Sequence, residues 1–388
     1  MVNLMKRLGL LFLVIVGAIV VGGLWRAKPL TSADQNGVLV LPDREGDFAK
    51  ANGPLDFAFP RDHGAHPDFQ TEWWYYTGNL TSEDGRKFGY QLTFFRRALP
   101  GSEEGSKRTS AWAASQVYLA HLTLTDVDGG NFVFRERFSR GAAGLTGATG
   151  VPQYQVWLDD WSVTQLDENS YTLRAGFDEG GLSLTLIDLK GPILQGDRGY
   201  SRKGQDPGNA SYYYSLTRLE SNGSLTFQEA EYSVNGHSWM DHEWSTSALA
   251  LDQVGWDWFS IQLDDGSEFM LYTIRKTDGS IDPFSNGMLV REDGTSLAIG
   301  RENFSIKIED TWHSPHTGAD YPARWTVSVP EEQLNLEIHP LVPDQELRLS
   351  FIYWEGAVNI RGQKAGLPIN GRGYVELTGY AQSLQGQF

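Results

Sequence analysis

Asp-Gly and Asn-Gly pairs recur along this chain, among them Asp84-Gly85, Asp128-Gly129, Asn222-Gly223, Asp265-Gly266, Asp278-Gly279 and Asp293-Gly294. Such pairs fit hairpin turns, because glycine tolerates positive φ and Asx does so better than most side chains. Between them lie short runs, several alternating apolar with polar, at 163–173, 182–189, 212–219, 224–234, 259–263 and 267–276. No stretch holds a helical period for long; residues 330–334 can start only a brief helical turn. Dense hairpins with few helices predict an all-β chain of antiparallel sandwiches or barrels.

Composition narrows the function classes. The 388 residues include 49 acidic against 32 basic groups, a formal charge of −17. Binding to a polyphosphate wants a basic footprint, so no nucleic-acid partner is expected. The absence of cysteine excludes disulfides, thiolate zinc sites, iron–sulfur clusters and cysteine nucleophiles. Thirteen Trp, 16 Tyr and 19 Phe supply bulk for a core.

The first thirty residues are different in kind. Lys6 and Arg7 precede an uncharged apolar run at 8–24, and Arg26 and Lys28 follow it. This is the pattern of a secretory signal peptide or an N-terminal membrane anchor. The run is shorter than the ~20 residues that span a bilayer comfortably, which favours cleavage. The basic residues where small ones should stand favour retention. Either way the body is exported, periplasmic or tethered to the inner membrane. All four basic groups of residues 1–30 are unopposed by acid, so the body is more acidic still and avoids anionic lipid, leaving membrane contact to this segment.

A weak internal repeat sharpens the architecture. Trp73-Trp74-Tyr75-Tyr76-Thr77-Gly78-Asn79-Leu80 can be laid over Trp256-Asp257-Trp258-Phe259-Ser260-Ile261-Gln262-Leu263. Likewise Gly236-His237-Ser238-Trp239-Met240-Asp241 matches Gly371-Arg372-Gly373-Tyr374-Val375-Glu376. These read as the opening and closing strands of two related β units. The expected organisation is a signal or anchor over 1–30, a linker over 31–54, one barrel over 55–245 and a second over 246–388. Functional groups are sought where the repeat breaks its own pattern, as at His242-Glu243-Trp244 and at Asp257.

The densest polar and aromatic cluster is Trp239-Met240-Asp241-His242-Glu243-Trp244, followed by Gly255-Trp256-Asp257-Trp258. On a strand, Asp241 and Glu243 face one side and Met240, His242 and Trp244 the other. A histidine beside Trp on a pocket face can move a proton near neutrality. Asp257, between two Trp, resists ionising and can serve as a general acid. The competing reading is structural: His242 and Asp257 bond each other, or backbone, at the seam between units. A second cluster sets Glu72 before Trp73, Trp74, Tyr75 and Tyr76, with Glu72 as a site group or a plain rim carboxylate. Residues 189–204 match no phosphate loop and read as a long loop or lid leading into Ser211-Tyr212-Tyr213-Tyr214-Ser215. The pairs His63/His66 and His313/His316 are spaced like metal ligands, but Pro67 and Pro315 put them in loops, where paired histidines are usually solvated. No metal or cofactor is assigned. No G-x-S-x-G elbow is present, which argues against a serine hydrolase.

These motifs resemble a bacterial family of secreted lipocalin-like proteins, the AttH-like or carotenoid 1,2-hydratase (hydroxyneurosporene synthase) family. The stretch from Thr71 to Leu80, the Gly196-Asp197 loop, the run from Ala210 to Ser215, and the hexapeptide from Trp239 to Trp244 carry the likeness, over about 55–385. The resemblance implies two tandem lipocalin-like antiparallel β-barrels and a pocket for an apolar or polyene-like ligand. It also implies roles: Asp257 as acid, Trp244 as cation stabiliser, His242 as orienter or water activator. The hydratase branch carries a tyrosine two residues before its aspartate, where this chain has Gly255. Ligand-binding candidates are Glu72, Trp73, Trp74, Tyr76, Tyr213, Trp239, Asp241, Trp256 and Trp258. Two functions are weighed: an exported carrier of a lipid or isoprenoid-like molecule, with an ABC-type exporter permease as candidate partner, and an acid-catalysed hydratase or isomerase of a carotenoid- or polyene-like substrate.

Overall fold

A computed structural model describes residues 48–99, 115–246 and 249–384. The apolar run at 8–24, with the signal or anchor helix expected there, lies outside the described residues. Thirteen described strands make the first sheet. They begin with β1 (Thr71–Ser82), β2 (Lys87–Ala98), β3 (Gln116–Asp126), β4 (Asn131–Arg140), β5 (Thr146–Thr149) and β6 (Gln155–Leu158). Next come β7 (Trp161–Gln165), β8 (Ser170–Phe177), β9 (Gly180–Asp188), β10 (Ile193–Leu194), β11 (Tyr200–Arg202), β12 (Ala210–Phe227) and β13 (Ala230–Ser245). The second sheet opens with β14 (Gln253–Leu263), β15 (Glu268–Lys276), β16 (Asn286–Val290), β17 (Ser296–Gly300) and β18 (Ser305–His313). It closes with β19 (Asp320–Val329), β20 (Leu334–Pro340), β21 (Glu346–Arg348), β22 (Ile352–Lys364) and β23 (Leu367–Thr378). The described helices are single 3₁₀ turns, Pro330–Glu332 among them. The chain is all-β, in two curled near-barrels.

Both sheets are wound the same way. β1 lies between β2 and β13, and β14 lies between β15 and β23. The register repeats as well: Tyr75 faces Asp241 across β1 and β13, and its counterpart Trp258 faces Glu376 across β14 and β23. The internal repeat is therefore a repeat of strand pairing, and it places the same carboxyl group twice.

Three of the cores follow from strand alternation. Trp74, Tyr76, Met240 and Trp244 turn into the first barrel, and Phe259, Ile261, Val375 and Leu377 into the second. The other faces of the same strands meet each other. Tyr75, Tyr213, Trp239, Trp258, Tyr272 and Tyr374 form a seam between the barrels, so these strands are buried on both sides.

Not every turn signal marks a turn. Gly85, Gly266, Gly279 and Gly294 take positive φ at hairpins, and the turn after Asp128 places its positive φ on Gly130. Asn222-Gly223, by contrast, lies inside β12, where Asn222 pairs with Asn235 and Thr185. Glycine is needed there because a Cβ would run into the Ser183 carbonyl of β9. The runs at 212–219 and 224–234 are accordingly one long strand and the start of its partner. The run at 163–173 is a hairpin of β7 and β8. The segment at 189–204 is not a free loop, since β10 and β11 pair with β12.

Candidate active site

The seam opens into a cleft of about 860 Å³, counted out to solvent. Its walls carry Trp73 and Tyr75 from β1, Tyr213 from β12, Trp256 and Trp258 from β14 and Tyr272 from β15. Phe95 and Phe351 also line it. Its acids are Asp241, Glu243 and Glu376, and its cation is Lys203, just past β11.

The polar groups divide by their partners. Lys203 Nζ lies 3.0 Å from Glu243 and 4.1 Å from the centre of the Tyr272 ring, and Ser211 also donates to Glu243. Asp241 has no such cation. It accepts from Tyr213 Oη at 2.6 Å, Trp239 Nε1 at 2.7 Å and Ser215 Oγ at 2.5 Å. Burial outweighs these bonds, with Glu243 adding its charge, and the Asp241 pKa is pushed up to about 7. Glu376 accepts from Trp256 Nε1 at 2.9 Å. Burial raises its pKa to about 7 as well, reinforced by Asp241 and Glu243. A third acid stands behind: Glu355 on β22 accepts from Tyr75 Oη at 2.8 Å and burial pushes it well above the carboxylate range. Among the described residues no ion pair reaches Asp241, Glu355 or Glu376. Beside the Lys203–Glu243 ion pair, the cleft therefore presents two carboxyl groups, Asp241 and Glu376, that hold their protons to near neutrality between its aromatic walls.

The predicted catalytic trio is not in this cleft. His242 and Trp244 point into the first barrel and Asp257 into the second, on the opposite faces of β13 and β14 from Asp241 and Trp256. His242 Nε2 lies 2.8 Å from Glu72, and its Nδ1 lies 3.1 Å from Tyr214 Oη. Trp244 stacks on His66 with ring centres 3.7 Å apart. Asp257 receives Arg275 Nε at 2.9 Å and Tyr380 Oη at 3.0 Å. The alternative in which His242 and Asp257 bond each other is also excluded. Of the binding candidates, Trp73, Tyr213, Asp241, Trp256 and Trp258 line the cleft, and Trp239 supports Asp241 from the seam. Glu72, Trp74 and Tyr76 face the first barrel's interior; Tyr76 Oη meets Tyr154 Oη at 2.7 Å, and Trp74 Nε1 donates to the His63 carbonyl. A Cβ on Gly255 would stand 2.5 Å from the Thr378 carbonyl oxygen, so the strand packing itself requires glycine there.

His66, Glu72 and His242 together could offer a metal three ligand atoms. Each already has a hydrogen-bond partner, however. Glu72 Oε1 is 2.8 Å from His66 Nδ1 and 2.8 Å from His242 Nε2, and Oε2 takes Arg96 Nε at 2.7 Å. An ionised carboxylate only accepts, so both histidine nitrogens carry hydrogen. Burial works against the Glu72 charge, but Arg96 and these donors hold its pKa far below the usual range. His242 is pushed down to about 4 by burial, so it stays neutral and its Nδ1 accepts from Tyr214. A cation would have to displace two N–H donors beside a guanidinium. The loop pairs do not converge either: His63 bonds Tyr214, while His313 and His316 go to Asp320 and Asp344.

Tyr75, Lys203, Glu243, Glu355 and Glu376 escaped the sequence-based site. The repeat held the signal for Glu376, since it aligns that residue with Asp241.

Comparison with known proteins agrees with this architecture. The family model for AttH-like proteins matches residues 50–380. A Nitrosomonas europaea protein assigned as AttH has a crystal structure that superposes with a TM-score of 0.75 at 35% identity, covering 86% of this chain and 100% of that one. Kievitone hydratase from Nectria haematococca shares the fold with a TM-score of 0.64 at 13% identity, over 87% and 97% of the two chains. The dehydratase asqC of Emericella nidulans is 23% identical over 232 residues, 54% of this chain; the match spans 62% of that protein's length. With the family model covering nearly all of the described fold, the chain belongs to the AttH-like family.

Proposed function

We propose that the cleft binds an apolar, unsaturated small molecule and adds water to it, or removes water from it, with Glu376 as general acid. The observation that carries this reading is a carboxyl group without a cationic partner on an aromatic wall, Glu376 beside Trp256. Among the described residues, three donors occupy both oxygens of Asp241, whereas Glu376 accepts from Trp256 alone, so its other oxygen is open to a substrate in the cleft. As its O–H bond breaks, a C–H bond forms on the substrate double bond. The cation left behind faces the π systems of Trp256, Trp258 and Tyr75, which stabilise positive charge. Water then adds, and one of its protons returns to the Glu376 carboxylate. Run backwards, the same steps eliminate water. Lys203 and Glu243 form a charged end against which a polar substrate group can be oriented. The dehydratase relative and the hydratase neighbour are both named for water exchange, which supports this choice. The apolar run after Lys6 and Arg7 supports an exported body, periplasmic or tethered to the inner membrane. An ABC-type exporter permease is the partner that fits such a location.

Native mass spectrometry of the full-length protein tests the reading by recovering the bound hydrophobe. That molecule, incubated with protein in ¹⁸O-labelled water, is expected to gain or lose the mass of one water, and Glu376→Gln to abolish the change. Recovery of the molecule unaltered by the wild type would instead make the protein a carrier.

A further inference from the structure

Glu355 is an acid of the seam that the reaction above does not use, and its setting is unusual. It stands directly opposite Glu376 in the β22–β23 register, on the same face. Side chains so opposed have Cβ atoms about 4.5–5.5 Å apart, within reach of each other's carboxyl groups. The Glu355 side chain is wholly buried. Tyr75 Oη occupies its Oε2, while Oε1 has no hydrogen-bond partner, the kind of orphan that needs an explanation. Among the described residues, the groups shown around the pair are acids, tyrosines and one histidine, His121 on β3, which lies 2.7 Å from Tyr353 Oη and whose pKa burial lowers. β1 contributes Tyr75, β13 contributes Asp241 and Glu243, and the strands of the pair themselves add Tyr353 and Tyr374. Lys203, the cation of the cleft, sits at Glu243.

We propose that Glu355 is the proton-holding partner of Glu376, so that the two opposed acids give up protons one at a time and Glu355 steadies the carboxylate that Glu376 becomes. This rests on the assignment of Glu376 as proton donor. Two buried carboxylates with no cation between them repel, so the loss of the first proton holds the second in place. When Glu376 protonates the substrate, its O–H bond breaks and a C–H bond forms. Glu355 keeps its own O–H bond and turns the unpartnered side of its carboxyl group toward the new anion as a hydrogen-bond donor. The adding water then returns a proton to Glu376, and both acids are restored. Tyr75 fixes the far oxygen of Glu355 throughout. Glu355 thus acts through Glu376, as a positioning residue.

The test needs no substrate. Infrared spectra of the full-length protein, recorded across pH, follow the C=O band of buried protonated carboxyl groups. The wild type is expected to lose this pair's signal in two separated steps. Glu355→Gln removes the upper step and leaves the lower in place. Glu376→Gln moves the Glu355 step down by more than about one pH unit, the strength at which two sites titrate as a pair. Glu376→Asp, which keeps the charge, is expected to restore it toward its wild-type position. A Glu355 step that stays put in Glu376→Gln, or a wild type that loses both protons together, overturns the pairing. If one variant fails to fold, the other still decides. A ligand recovered unaltered by the wild type would end the hydratase reading and leave these spectra untouched. Conversely, failed spectra would leave Glu376 a lone donor.

Discussion

Glu72, fully buried, and Glu376, half-buried at the cleft, stand on the first strand of one sheet and the last strand of the other in chain order, yet their carboxyl groups are pushed in opposite directions. Glu72 has Arg96 at 2.7 Å and two histidine N–H groups, so it is an anion. Glu376 has one indole N–H and acidic neighbours, so it is an acid near neutrality. Burial raises both. The sign of what is buried alongside decides which way each one goes. Glu72 therefore belongs to a charge-paired network with Arg96, His66 and His242 inside the first barrel, and Glu376 to a site that can donate a proton.

That contrast can be broken most forcefully at Arg96. Arg96→Ala leaves Glu72 as an uncompensated buried charge and is expected to cost about 3–5 kcal/mol in urea unfolding. A loss below about 1 kcal/mol would mean that the guanidinium does not set the Glu72 charge. Glu376→Gln is the opposite experiment. It replaces the carboxyl group by an isosteric amide without charge, so the fold is retained while turnover of the recovered hydrophobe falls by at least about 10²-fold. Equal turnover in the variant would remove Glu376 from the chemistry.

The dependence of stability on pH sharpens the same difference, because the two kinds of acid contribute with opposite sign. The folded pKa of Glu72 lies below its unfolded value, so its contribution is present above about pH 4.3 and lost as pH falls through the folded value. Asp241 and Glu376 have folded pKa values near about 7, above their unfolded ones. Their contribution is complete below about pH 4 and lost as pH rises toward about 7. The limiting slope is about 1.4 kcal/mol per pH unit for each group. Between these limits the wild-type pH profile should therefore fall more steeply, or rise less steeply, than that of the Asp241→Asn, Glu376→Gln double variant. An unchanged slope in the double variant would show that neither carboxyl group is held protonated.

The arrangement of strands was legible from the turns and the repeat, because hairpin chemistry and strand alternation are local. The site was only half legible, for a physical reason. Alternation separates Asp241 from His242, but it does not say which of the two faces meets a cavity, and here both faces of β1, β13 and β14 are buried. The sequence-based reading chose the His242 and Asp257 faces, which turn to opposite barrel interiors. Lys203 and Glu355 come from segments far along the chain, and no local pattern in an antiparallel strand distinguishes an acid facing a seam from one facing solvent. Glu376 was within reach through its equivalence to Asp241. Arg96 could not be connected to Glu72 without the β1–β2 register.

The smallest expected effect is at Asp257, and it is the one that tests the choice of face. Asp257→Asn keeps an acceptor for Arg275 and Tyr380. Arg275 also retains its stacking, 3.7 Å from the Tyr380 ring centre, and its bond to the Thr378 carbonyl. The loss is one charge-assisted pairing between a buried carboxyl group and a guanidinium that stays partly exposed, about 1 kcal/mol in urea unfolding. Because the Asp257 side chain lies across β14 from Trp256 and Trp258, affinity for the recovered hydrophobe and its turnover should stay at wild-type levels. Should Asp257→Asn abolish turnover with the fold intact, the proton would have to come from inside the second barrel. The Glu376 cleft would then be a binding surface only.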